Sequence, residues 1–157
     1  MYVIDTNIFL DWWVRRYPAD VFPSIQQRFD ALASTKKIVA PERVHEEIQH
    51  VAPKPLKEWA KNNNQIFAPH DLLMQQEAIR IQTTFPGLID PTAMHDEADR
   101  WIIAMASCRG YIVVTHETPA KSKRKPLRSH YIPDVCRELN LPCINLLELM
   151  RRESWSF

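Results

Sequence analysis

The chain opens Met1-Tyr2-Val3-Ile4-Asp5-Thr6-Asn7-Ile8-Phe9-Leu10, and these ten residues decide the fold. Tyr2 to Ile4 is a short apolar, β-branched run of the kind that makes a buried strand. It stops at Asp5-Thr6-Asn7, three polar residues suited to cap a helix. A helix starting there would carry Ile8, Phe9 and Trp12 into the core. A carboxylate at the carboxyl end of a buried strand stands where open α/β sheets bind their ligands. Taken alone, Asp5 is equally well a turn or N-cap residue, so the rest of the chain has to decide.

Outward from this stretch, apolar spacing predicts strands over 37–40, 65–68, 111–115 and 142–145. Helices are predicted over 20–33, 42–51, 54–62, 71–84, 96–108, 133–139 and 146–152. Their core stripes are Phe22, Ile25, Phe29 and Leu32; then Val44, Ile48 and Val51; then Leu56 and Trp59. Met74, Ala78, Ile81 and Phe85 follow. The helix from Asp96 has the strongest pattern, with Ala98, Trp101, Ile102, Met105 and Ala106 on one side and Gly110 as its stop. Strands alternating with helices predict a three-layer α/β/α sandwich, a parallel sheet between helical layers joined by right-handed crossovers. The twelve prolines sit mostly at element borders and none marks a linker, so residues 1–157 read as a single domain.

Composition excludes some classes. At 45% hydrophobic and 25% charged, the chain is globular rather than disordered. A net charge of +1 provides no whole-molecule field, so nucleic-acid binding must come from local clusters. Cys108, Cys136 and Cys143 lack paired metal spacing and stand in apolar context, which predicts reduced, packed thiols. His45, His50, His70 and His95 show no ligand spacing either. No leader and no apolar run of bilayer length is evident, so a cytoplasmic protein without a membrane partner is expected.

Three further acids stand in positions like that of Asp5. Glu47 lies between Val44 and Ile48 on the apolar edge of its helix, where a carboxylate is costly unless compensated. Glu46 points about 100° away around the helix, so Glu47 is preferred. Asp99 sits near a helix start, beside Ile102, Ile103 and Ala106, where a cap is the bland alternative for it or for Asp96. Glu117 follows Val113-Val114-Thr115-His116, just past the end of a strand.

The order of these pieces resembles the PIN domain, a metal-dependent nuclease family, and in particular its VapC-like bacterial toxins. The resemblance is carried by Val3-Ile4-Asp5-Thr6-Asn7, Val44–Ile48, Ala98-Asp99-Arg100-Trp101-Ile102-Ile103-Ala104 and Val113-Val114-Thr115-His116-Glu117. It implies an acidic site of Asp5, Glu47, Asp99 and Glu117, supported by the hydrogen-bonding residues Thr6, Asn7 and Thr115. It further implies a dimer, an RNA substrate and an inhibitory antitoxin. Two departures stand out: the last acid is usually Asp, and the phenylalanine often found after it is here Thr118-Pro119 and a basic run.

Converging carboxylates repel one another and take up protons unless a cation intervenes. Oxygen donors without clustered His or Cys favour Mg²⁺ or Mn²⁺ over zinc. Such ions lower the pKa of a bound water and offset charge on the oxygens of a phosphodiester. After Glu117 the run 120–128 holds Lys121, Lys123, Arg124, Lys125 and Arg128, the best candidate for a loop that grips an RNA backbone. A solvated loop or a partner surface is the alternative. Arg15-Arg16 and His130-Tyr131 are further contact candidates on proximity alone; His116 reads as a surface histidine, with phosphate contact as the alternative. Trp12 and Trp13 are adjacent, so one faces the core and the other is left to stack a base or pack at a dimer interface.

A metal-dependent endoribonuclease, the toxin of a toxin–antitoxin pair, is therefore the expected function. Two other classes compete with it. One is a PIN-like module that binds RNA or a partner without cleaving. The other is a phosphotransfer domain with Asp5 as nucleophile; Asn7 stands where one such group would want a second aspartate.

Overall fold

The structure, a computed structural model, describes residues 1–93 and 97–157. In chain order the elements are β1 (Tyr2–Ile4), α1 (Thr6–Leu10), a π-helical turn (Asp11–Arg15), α2 (Pro23–Ser34), β2 (Ile38–Pro41), α3 (Glu42–Val51) and α4 (Lys54–Asn62). Then come β3 (Phe67–Ala68), α5 (Leu72–Thr84), α6 (Asp99–Arg109), β4 (Ile112–Val114), α7 (Ile132–Glu138), β5 (Cys143–Ile144) and α8 (Leu146–Arg152).

The strands form one parallel sheet in the order β3-β2-β1-β4-β5. Tyr2 pairs with Ile38 on one side and Ile112 on the other, so β1 lies at the centre. That explains its unbroken apolar sequence, because a strand covered on both faces has no solvent side to alternate with. From β1 the chain steps outward through β2 to β3, then crosses back to β4 and continues to β5. The direction of winding thus reverses between β1 and β4. A crevice opens at the carboxyl ends of strands at such a switch point.

Right-handed crossovers place α1 to α4 on one face of the sheet and α5 to α7 on the other. On the first face Phe9, Trp12, Phe29 and Trp59 knit α1, the π turn, α2 and α4 together, with Trp12 stacked on Phe29 at 3.9 Å between centroids. On the second, α6 lies across β1, β2 and β4 and pairs with α5. Gly110 ends α6 at φ +65°, the left-handed conformation that favours glycine. No described helix is long and apolar enough to cross a membrane.

Local expectations fail where tertiary packing overrides them. Asp5 precedes α1 but makes no capping bond with its side chain. Phe22 is the residue before α2 and is exposed, and Val51, at the free end of α3, is 65% exposed. Helix α6 is buried from Ile102 through Ala106 rather than along one stripe, because the sheet covers one side and α5 the other. Of the three thiols only Cys136 is buried; Cys108 is exposed. The predicted start of the long helix at Asp96, and His95, lie outside the described residues. Trp12 is the core tryptophan, as spacing required, while Trp13 packs edge-on against it at 5.2 Å and is partly buried by its own chain.

Candidate active site

Each predicted acid is delivered to the crevice by a different element. Asp5 leaves the end of β1, where its backbone N–H bonds to the Val114 carbonyl at 3.1 Å and so ties it to the end of β4. Glu117 lies three residues beyond β4, Asp99 opens α6, and Glu47 faces inward from α3. The helix places Glu46 outward, where it pairs with Arg43 at 2.5 Å, so of the two glutamates it is Glu47 that faces the crevice.

The polar residues after β1 are spent on this crevice. Thr115 Oγ1 donates to Asp5 Oδ2 at 2.6 Å, and Asn7 Nδ2 donates to the same oxygen at 2.5 Å. Asn7 Oδ1 accepts the His116 N–H at 3.0 Å, and Thr115 Oγ1 accepts the Glu117 N–H at 3.0 Å. The Thr6 hydroxyl donates to Glu47, whose other oxygen accepts the Ala98 N–H at 2.9 Å just before α6. Two networks result, Asp5 with Asn7 and Thr115, and Glu47 with Thr6 and the Ala98 amide, and both start from the residues that follow β1.

Burial and mutual repulsion set the electrostatics. Asp5 is 5% exposed, and burial together with the Glu117 charge pushes its pKa up to about 7, against the lowering effect of the Thr115 hydroxyl. Asp99 is raised well above the usual carboxylate range by burial, then by the charges of Glu117 and Asp5. Glu117 and Glu47 are raised as well, in both cases mainly by burial.

One cation stands among them. Arg128 Nη1 donates to Asp99 Oδ2 at 2.8 Å and to the Leu88 carbonyl at 2.9 Å, and Nη2 donates to Glu117 Oε1 at 3.2 Å. Glu97 lies 3.6 Å from the same guanidinium, which rests on the Tyr131 ring at 4.6 Å. Sequence placed Arg128 with the substrate-gripping residues; the fold turns it inward instead, onto the acids. The rest of the run divides. Lys121, Arg124 and Lys125 are exposed, and Lys123 lies over the Tyr131 ring at 4.2 Å.

Asp134 is a residue the sequence reasoning missed. It is buried at the start of α7 and accepts from both Ala120 N and Tyr131 N, at 2.8 and 3.0 Å, pinning the two ends of the basic loop. Its place in the third helical position after Tyr131 was the available signal.

Among the described residues, no three carboxylate, histidine or cysteine side chains are arranged as a ready metal cage. Glu117 and Glu47 each give an oxygen to a backbone amide, and Arg128 holds Asp99. The donor chemistry nevertheless fits a hard divalent ion. Asp5, Asp99 and Glu117 are oxygen donors that repel one another in a buried crevice, and a further cation relieves that repulsion. As an Asp5 nucleophile the site is poor, because burial favours the protonated form of this carboxyl and its Oδ2 already accepts two hydrogen bonds.

A family model for DUF4411, described as a domain of unknown function, matches residues 2–157. No curated protein matches the sequence. Among solved structures similar in fold are the following two. One is VapBC2 from Rickettsia felis bound to a DNA fragment from their promoter: 19% identity, TM-score 0.51, covering 92% of this chain and 97% of that one. The other is FitAcB from Neisseria gonorrhoeae, with 14% identity, the same TM-score of 0.51, and coverage of 92% and 97%. At such identities the likeness shows the fold, which is PIN-like, and nothing finer.

Proposed function

This chain belongs to the DUF4411 family, and we propose that it is a Mg²⁺- or Mn²⁺-dependent endoribonuclease of the PIN type. The observation that carries this reading is the convergence of Asp5, Asp99 and Glu117 at the switch point of a parallel sheet, with burial raising all three and the Glu117 charge raising Asp5 and Asp99 further. Asp5 and Asp99 would hold the ion, with Glu117 and Glu47 completing its surroundings or orienting water. A bound divalent ion supplies an activated water and charge relief at the phosphodiester. The chain's own residues do the rest. Thr115 and Asn7 fix Asp5 Oδ2, Thr6 and the Ala98 amide hold Glu47 in place, and Arg128 offsets negative charge that would otherwise force protons onto the acids. Lys121, Arg124 and Lys125 are exposed and free to meet RNA phosphates.

The likeness in fold to VapBC2 and FitAcB, with the VapC-like motifs, supports a role as the toxin of a toxin–antitoxin pair, acting as a homodimer restrained by an antitoxin protein. One observation favours a second reading. Arg128 already occupies the space between Asp99 and Glu117, as it would in a PIN-like module that binds RNA or a partner without cutting.

Purified protein incubated with structured and single-stranded RNA, in Mn²⁺ or EDTA, separates the two. Metal-dependent cleavage that falls by about two orders of magnitude or more in Asp5→Asn and Asp99→Asn supports the nuclease. Binding with no cleavage supports the module. Equal cleavage by the variants exposes a contaminant and removes the enzymatic claim.

A further inference from the structure

Beside the acids lies a second cleft, where Arg15 and Arg16, contact candidates in sequence by proximity alone, acquire a defined setting. It is open to solvent, about 530 Å³ in volume, and lined by Asn7, Asp11, Arg15, Arg16, His116 and Glu117. Asn7 and Glu117 belong to the acidic network as well, so the cleft continues directly from the crevice.

Its charge is built by an unusual turn. Residues Asp11–Arg15 are π-helical, and both Arg16 N and Tyr17 N bond to the Asp11 carbonyl, at 2.8 and 3.2 Å. In an ordinary α-helix Arg16 would fall well around the barrel from Asp11. The wider turn brings residues four and five positions on back beside it. Arg15 Nη1 lies 3.6 Å and Arg16 Nε 3.3 Å from the two oxygens of Asp11. Asp11 is buried, while the arginine side chains are 60% and 58% exposed. A buried carboxylate thus orients two guanidiniums that remain largely exposed at the rim of the cleft. His116 also borders the cleft, but its Nε2 is buried, 3.6 Å from Asp11 Oδ2, so the ring backs the carboxylate rather than reaching into the opening. The His116 backbone is held by Asn7, so the ring position is tied to that of Asp5.

We propose that Arg15 and Arg16, set on Asp11, form a phosphate-binding subsite that holds an RNA backbone phosphate next to the one at the acids. Guanidinium forks match phosphate oxygens, and a chain of net charge +1 needs such a local cluster to bind RNA at all. On this view the strand crosses the crevice between two basic walls, the loop of Lys121, Arg124 and Lys125 on one side and the π turn on the other. The inference rests on the nuclease reading and adds to it the course of the substrate.

The test uses the full chain and a short labelled single-stranded RNA. Its affinity is read by fluorescence anisotropy in EDTA over a salt series, and its cleavage in Mn²⁺. Replacing both arginines (Arg15→Gln with Arg16→Gln) should weaken binding about tenfold and flatten the log affinity against log salt slope by about 1.4, roughly 0.7 for each lost contact to a single strand. In Mn²⁺ the KM should rise with kcat little changed, since the lost contact is to a neighbouring phosphate and not to the one that reacts. The lysine pair, Arg15→Lys with Arg16→Lys, should keep most of the salt slope. Removing the same charge on α8, by Arg151→Gln with Arg152→Gln, should change neither quantity. Thermal melting checks that the variants are folded. If the glutamine pair binds with wild-type affinity and slope while the wild type still cleaves, the subsite is wrong and the nuclease stands. If the α8 pair loses as much, the effect is net charge and the subsite again fails. A wild type that neither binds nor cleaves RNA overturns both.

Discussion

Replacing Arg128 with glutamine tests whether the acidic crevice is waiting for a cation. The guanidinium makes charge-assisted bonds to Asp99 and Glu117 at 2.8 and 3.2 Å and is itself largely buried. Removing one partner of such a buried pair costs about 3–5 kcal/mol when the stranded charges stay charged. Here they need not, because Asp99 is already raised toward protonation, and proton uptake limits the loss. A destabilisation of about 2–4 kcal/mol at pH 8 is expected, with a smaller one at pH 6. For a chain of 157 residues that is a fall in Tm of about 5–15 °C. Saturating Mn²⁺ should close most of the gap, since the ion supplies the charge that Arg128 did. The variant should also bind Mn²⁺ about tenfold more tightly by calorimetry, having no guanidinium to displace. Melting curves at two pH values, each in EDTA and in Mn²⁺, give the first readout without any appeal to activity. A Tm gap that Mn²⁺ leaves unchanged, together with an unaltered or weaker Mn²⁺ affinity, would falsify the idea that arginine and metal compete for the same acids.

Three more outcomes follow from the same geometry. Asp5, Asp99, Glu117 and Glu47 all have folded pKa values raised above their unfolded ones, so between roughly pH 4 and 7 the native state binds more protons than the unfolded chain. In EDTA, stability should therefore rise as pH falls from 8 toward 6, by at most about 1.4 kcal/mol per pH unit for each carboxyl titrating, and Mn²⁺ should flatten the profile; denaturant melts that show stability rising with pH over that window would contradict it. Thr115→Val removes the hydroxyl that donates to Asp5 Oδ2 and accepts from Glu117 N, so a loss of about 1–3 kcal/mol in urea melts is expected, with cleavage reduced at least tenfold. Gly110→Ala meets no steric obstacle but must adopt φ +65°, so it should cost about 1–2 kcal/mol through backbone strain alone; a neutral melt would show that α6 ends differently.

The first ten residues and the alternation of strands and helices were enough to determine the architecture. A strand with no polar alternation has to be covered on both faces, and a parallel sheet between helices is how short chains achieve that. The same logic picked out Asp5, Glu47 and Asp99, because a carboxylate on the apolar side of an element has a cost that calls for an explanation. Boundaries and individual exposures were less legible: Val51 carries the right residue type for the core but lies at a helix end with nothing packed over it.

Side-chain direction in the basic run was decided only by folding. Lys121, Lys123, Arg124, Lys125 and Arg128 are five similar cations in sequence, yet one is drawn onto Asp99 and Glu117, one lies over Tyr131 and three remain in water. Nothing local separates them; Asp134 does, by pinning Ala120 and Tyr131 and so fixing where the loop re-enters the crevice. The π turn is of the same kind. Asp11 carries no signal in a linear reading and Arg15 and Arg16 only that of proximity, and the three share a cleft only because one widened turn brings positions four and five residues apart to the same side. Periodicity reports which residues leave water, whereas the partner a buried charge finds depends on which distant strand end the topology sets beside it.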